Sequence, residues 1–208
     1  MGKCIDMALV DHNRKFIFIH IFKCAGNSIR KVITDPNNSE EVGGGHANAR
    51  DVRELMGKEF DDYYTFTVVR NPFDWLFSTY YYVLYSGQNR HKENVSLLDS
   101  FEDFPRHYVE EMMTEQMPLG ANKCTMLKDF VCDEDGNQIV DFIGKKETLQ
   151  KDINTILTKI EMPSIPMPRI NVNVNKAGKN YKDYYPPKLV DYVTKTFADD
   201  LQYFDYGF

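Results

Sequence analysis

The chain contains no long apolar run. Its longest, Phe16–Phe22, is far too short to span a bilayer, so no integral membrane association is expected. Cysteine is sparse: Cys4, Cys24, Cys124 and Cys132 have neither disulfide-framework density nor CxxC spacing. A pairing or metal site at Cys124 and Cys132 stays open, and reduced thiols are the expected state. There is no excess of positive charge. Lys and Arg number 25 against 31 Asp and Glu, a formal net charge of −6, which argues against a nucleic-acid partner while leaving room for a local basic cleft. No secretory leader is visible, because residues 1–15 are polar and charged. Met1-Gly2 does not make a myristoylation signal, since Asp6 stands where Ser or Thr is wanted. A cytoplasmic protein is expected.

What is present fits one globular domain, 1–208, with 42% hydrophobic and 27% charged residues. Residues 16–22 are almost continuously apolar, as in a central strand covered on both faces. A helix follows from Gly26 to Ile33, stopped by Asp35-Pro36-Asn37-Asn38, and a loop over 35–45 ends in Gly43-Gly44-Gly45. A short helix is expected over Asn48–Met56, a second strand over Tyr64–Val69, and an aromatic helix from about Phe73 to Tyr85. Residues 86–96 read as a polar, basic surface loop and Phe101–Met117 as helical. Residues 129–143 read as a hairpin ending in the strand Ile139–Ile143. Lys146–Ile160 is amphipathic, residues 163–187 form a long proline-containing irregular segment, and Pro187–Leu201 is the last helix. Strands alternating with helices predict an α/β fold with a mostly parallel sheet flanked by helices.

Two strand-to-helix turns carry the chemistry. The first, Lys23-Cys24-Ala25-Gly26-Asn27-Ser28, follows the apolar strand and opens a helix, an arrangement that presents backbone N–H groups to a phosphate. It differs from the nucleotide-triphosphatase loop, in which the lysine comes after the glycines. Lys23 at the strand end would reach the bridging oxygen of an anhydride, Gly26 would let the backbone approach, and Asn27 and Ser28 would donate. The second turn runs from Arg70-Asn71-Pro72 to Ser78. Arg70 can pair bidentately with phosphate, and Ser78 lies two turns into the helix, facing back. Two cation-and-hydroxyl turns imply a ligand with phosphate at two places.

Together the two turns resemble the sulfotransferases that use 3′-phosphoadenosine-5′-phosphosulfate. That likeness implies a three-layer, P-loop-type fold. It also implies that residues 23–28 bind the 5′-phosphosulfate and that Arg70 and Ser78 bind the 3′-phosphate. Gly45-His46 before a short helix resembles the uronyl 2-O-sulfotransferases, which implies His46 as catalytic base and a carbohydrate acceptor. Val140-Asp141-Phe142-Ile143-Gly144 with Glu147, Val174-Asn175-Lys176, and Asp200-Leu201 before Phe204-Asp205-Tyr206 extend the resemblance along most of the chain. The sequence departs from that pattern in having Phe22 where proline is common and Asn27 where Ser or Thr is usual. It also shows no N-terminal anchor, and so looks like the compact microbial or viral relatives.

The implied reaction is in-line attack of an acceptor hydroxyl on sulfur, releasing adenosine 3′,5′-bisphosphate. His46 would take the proton and Lys23 would stabilise the leaving oxygen. Lys176 and Lys179 are candidates to close over the 3′-phosphate. No metal is expected, because a sulfuryl group carries less negative charge than a terminal phosphoryl group. His20 reads as a core histidine, Trp75 and Tyr80–Tyr82 as core aromatics, and Glu147 as a helix-start acid. Two other readings stand beside this one: a kinase-like phosphotransferase on a related loop scaffold, and a non-catalytic nucleotide- or glycan-binding module.

Overall fold

The computed structural model describes residues 7–85, 91–112, 126–168, 170 and 175–208. In chain order its strands and helices are β1 (Ala8–Asp11), β2 (Phe16–Phe18), α1 (Gly26–Ile33), β3 (Ser39–Val42), α2 (Ala49–Met56), β4 (Tyr64–Val69), α3 (Pro72–Tyr85), α4 (Lys92–Ser96), α5 (Phe104–His107), β5 (Phe142–Lys145), α6 (Leu149–Lys159), α7 (Pro187–Thr196) and α8 (Ala198–Tyr203). The ends of the basic loop at 86–90 and of the expected helix at 113–117 lie outside the described residues. So do Met1, Gly2, Cys4, Asp6, Cys124 and positions 171–174. The chain divides into two compact units, Met1–Arg70 with Met117–Ile170, and Asn71–Gln116 with Asn171–Phe208.

The first unit holds a five-stranded sheet of order β3-β1-β2-β4-β5. β2 pairs parallel with β4, and β4 parallel with β5, whereas β1 pairs antiparallel with both β2 and β3. The sheet is therefore mixed, which corrects the expected mostly parallel one. The cause is a single reversed strand. β2, β3, β4 and β5 all run the same way, and β1, joined to β2 by the tight turn His12–Lys15, is inserted between β3 and β2. So short a turn can only connect antiparallel neighbours. The expected strand at 139–143 lies instead at Phe142–Lys145, preceded by an isolated antiparallel bridge, Cys132 to Gln138.

One face of the sheet presents Leu9, Phe16, Phe18, Phe66 and Val68 to Ile29 and Ile33 of α1 and to Ile153, Ile156 and Leu157 of α6, all fully buried. Each such side chain stabilises the fold by about 1.5–3 kcal/mol. Val10, Ile17, Thr65, Thr67 and Val69, on alternate positions, are buried as well. This is why the 16–22 run lacks the alternation of a half-exposed strand. The ladder continues past β2, because Ile19 N–H donates to Phe66 O at 2.9 Å and Thr67 Oγ1 donates to Ile19 O at 2.7 Å.

The second unit is helical and aromatic. Phe77 packs on Tyr81 and Tyr184, Phe101 on Tyr185, and Trp75 on Tyr108, with ring centroids 4.8–5.3 Å apart. Trp75 and Tyr81 are thus core residues. α3 opens with proline in its first turn, and Asn71 Oδ1 accepts the Phe73 N–H at 3.0 Å. The expected last helix is interrupted at Phe197, giving α7 and α8.

Candidate active site

The shared direction of β2, β3 and β4 carries three chain segments to the carboxyl edge of the sheet, the edge at which α/β folds bind ligands. β2 delivers Lys23–Ser28, β3 delivers His46, and β4 delivers Arg70. Lys23 (φ 59°), Ala25 (φ 69°) and His46 (φ 57°) all adopt the left-handed conformation without being glycine. Such positions cost on the order of 1–3 kcal/mol each and cluster at functional sites.

Ala25 immediately precedes α1, and its carbonyl accepts the N–H groups of Ser28 (3.0 Å) and Ile29 (3.2 Å). The N–H groups of Gly26 and Asn27 have no intrahelical acceptor. Among the described residues no side chain caps this end, and the first turn carries no acid. Among those residues nothing compensates the positive end of the α1 dipole, which suits it to an anion. Cys24 is buried in the loop and Asn27 half-buried. Ser28 is buried, and its Oγ accepts the Ile170 N–H at 3.4 Å, leaving the hydroxyl hydrogen to donate. Lys23 Nζ stands 5.8 Å from the Phe22 ring centre.

Gly26 has a reason to be glycine beyond ligand approach. A Cβ built there would lie 1.9 Å from His20 Nε2. His20 is buried, as expected of a core histidine, and its ring also lies against the Gly26 α-carbon, a contact its place in an apolar strand did not signal. Arg70 is buried, and its Nη1 donates to the Lys23 carbonyl at 3.1 Å, tying the end of β4 to the start of the loop.

His46 Nδ1 lies 3.2 Å from the His20 carbonyl. A carbonyl only accepts, so Nδ1 carries the hydrogen and the neutral ring keeps its lone pair on Nε2. The half-buried ring meets those of His20 (5.5 Å) and Phe22 (5.3 Å) edge-on. Two residues on, Asn48 and Asp51 form a reciprocal capping box that fixes the start of α2.

The remaining predicted residues lie in the second unit. Ser78 is buried in α3. Lys176 Nζ contacts Asp74 Oδ1 at 2.7 Å, and Lys179 Nζ donates to Tyr81 Oη at 2.7 Å. The bond to Tyr81 holds the Lys179 pKa above its ordinary value, so this ammonium stays charged. Asp74, Ser78 and Tyr81 share one helix face at i, i+4 and i+7, which places the anchors of the two ammonium groups about one turn to either side of Ser78. Asp74 was not singled out from sequence; an acid in a first helical turn has an ordinary explanation in the dipole. Among the described residues no cluster of metal ligands exists, and no helix is long and apolar enough to cross a membrane.

A protein-family model described as Sulfotransferase family matches residues 6–207. No curated protein and no solved structure matches the chain significantly.

Proposed function

The chain belongs to the sulfotransferase family, and from that premise we propose that it moves a sulfuryl group from 3′-phosphoadenosine-5′-phosphosulfate to a hydroxyl of a carbohydrate acceptor, with 1–208 acting as one catalytic domain. The observation that carries this reading is the N-terminus of α1, with no side-chain cap or first-turn acid among the described residues, entered through left-handed Lys23 and Ala25 directly after a buried strand. Backbone donors at 26 and 27, with the Ser28 hydroxyl, suit the 5′-phosphosulfate. Arg70, Ser78, Lys176 and Lys179 are assigned to the 3′-phosphate.

The donor supplies an activated sulfuryl group on a phosphate leaving group. Lys23 counters the charge that develops on the bridging oxygen, and preorganised donors of this kind are worth about 10²–10³-fold in rate. His46 Nε2 takes the acceptor proton as the new O–S bond forms, and the bond from Nδ1–H to the His20 carbonyl keeps the ring in the accepting tautomer. Arg70 holds the loop through the Lys23 carbonyl as well as offering charge to the ligand.

The test is calorimetric titration with adenosine 3′,5′-bisphosphate, 5′-AMP and ATP on wild type and Arg70→Ala. Preferential binding of the bisphosphate, lost in the variant, is expected. Equal affinity for ATP would favour a phosphotransferase, and no binding would remove the nucleotide reading. With labelled donor and a glycan panel, His46→Ala should lose about 10²–10⁴-fold in kcat. Activity within a few-fold of wild type would remove the base assignment.

A further inference from the structure

We propose that His20 is a positioning residue for this reaction, holding the donor loop through its ring and the proposed base through both its ring and its carbonyl; the inference rests on the sulfuryl-transfer reading above. His20 is 3% exposed, in the continuation of β2 just before the loop. Its ring stacks on Phe18 at 5.8 Å with 21° between planes, so its orientation is set by the core. Its Nε2 and Cδ2 fill the space beside the Gly26 α-carbon that any larger residue there would occupy. Its carbonyl accepts from His46 Nδ1, and its ring meets the His46 ring edge-on. Gly26 begins α1, whose N–H groups are the proposed anion donors, and His46 sits in a left-handed conformation that needs outside support. One residue thus touches both halves of the reaction, the donor cradle and the acceptor base.

The flat five-membered ring suits this place. A six-membered ring in the same orientation would press further toward Gly26, and an aliphatic chain would present no flat face to Phe18. Gly26 has no positive φ, so alanine there is limited by the His20 contact rather than by backbone strain.

The experiment is a cycle of His20→Ala, Gly26→Ala and the double variant, read by thermal midpoint, bisphosphate affinity, kcat, KM and the pH dependence of kcat. Gly26→Ala should lower the midpoint and weaken bisphosphate binding at least about tenfold, since its methyl group meets the imidazole. The double variant should recover bisphosphate affinity, because the methyl group enters the vacated space. His20→Ala should lose about 10²-fold in kcat, the scale of a displaced catalytic group. Its acceptor KM should stay within a few-fold, and the acid limb of its pH profile should move, because His46 has lost its edge contact. The double variant should keep that kcat defect.

A folded His20→Ala protein with wild-type kcat and pH profile would overturn the link to the base. Equal effects of Gly26→Ala with and without His20 would overturn the link to the loop. His46→Ala, assayed in parallel, separates the two readings: if it stays active the base assignment falls, while the 20–26 coupling is still read in affinity. If wild type binds no bisphosphate the sulfuryl-transfer reading falls, and the same coupling in thermal midpoint decides the packing contact.

Discussion

Tyr185 donates its hydroxyl hydrogen to the Phe73 carbonyl at 2.8 Å, and burial, with the Asp74 carboxylate adding to it, pushes the phenol well above its ordinary 10.0. Tyr108 is raised in the same direction, by burial first and Asp200 second. A phenol with a raised folded pKa keeps its proton when the unfolded chain has already lost it. Its contribution to stability is therefore complete below pH 10 and is lost as pH climbs through the folded value. Melting followed by circular dichroism should show stability falling above pH 10, by at most about 1.4 kcal/mol per pH unit for each such tyrosine. Tyr185→Phe should cost about 0.5–1.5 kcal/mol near neutrality through the lost hydrogen bond, and should flatten the alkaline slope. An unchanged slope would mean that Tyr185 titrates normally. At this same scale the two strand-to-helix turns were legible where residue type alone carries chemistry: Lys23, Gly26, Ser28 and Arg70 are picked out by charge, hydroxyl and spacing, whereas His46 is a candidate only through the family resemblance. The contact between His20 and Gly26 was not legible, because it joins a strand residue to a helix start through space. Nor were the left-handed conformations of Lys23, Ala25 and His46, since none is a glycine that would have announced them.

Among the elements, α6 packs tightly on the sheet at Gly144. A Cβ there would be 3.1 Å from Asp152 Cβ and 3.2 Å from Val68 Cγ2. Neither neighbour yields easily, because Val68 is in a central strand and the Asp152 carboxylate is held by the Lys145 N–H (2.7 Å) and the Thr148 hydroxyl (2.6 Å). Gly144→Ala should therefore destabilise by about 1–3 kcal/mol. The expected signature is a lower urea midpoint with an unchanged slope; a midpoint equal to wild type would show that α6 moves freely. Elements with a strong period, such as α6 and the Asn48-capped α2, were readable. β1 and β3 were missed for physical reasons. Ser39-Glu40-Glu41-Val42 is an edge strand, paired on one side only, and its polar residues do not read as a strand. The turn from β1 to β2 uses Lys15 at φ 53° where an Asn-Gly or Asp-Gly pair would have marked a hairpin. Direction of pairing, which decides between a mixed and a parallel sheet, has no counterpart in periodicity at all.

For the whole molecule, the formal charge of −6 bears on the acceptor more than on the fold. The cations proposed for the site are few. In the first unit Arg70 contacts the loop carbonyl, and in the second Lys176 is paired with Asp74, so part of each unit's positive charge is engaged before any ligand arrives. A long polyanionic acceptor approaching such a protein would meet repulsion over a range set by the Debye length, about 30 Å at 0.01 M salt and about 10 Å at 0.1 M. A neutral or lightly charged glycan would meet none. The acceptor KM of the favoured neutral substrate should therefore stay within about twofold as NaCl rises from roughly 0.02 to 0.2 M, because no long-range term acts on it. A polyanionic acceptor of this acidic chain should instead show a KM that falls with added salt, as screening relieves the repulsion. A KM that rises steeply with salt would contradict both expectations. It would require the basic residues to converge on one cleft strongly enough to override the net charge, and would turn the search toward sulfated or carboxylated polymers. Because the donor is itself a polyanion, its concentration must be held saturating at every salt level, so that the change read is the acceptor's alone.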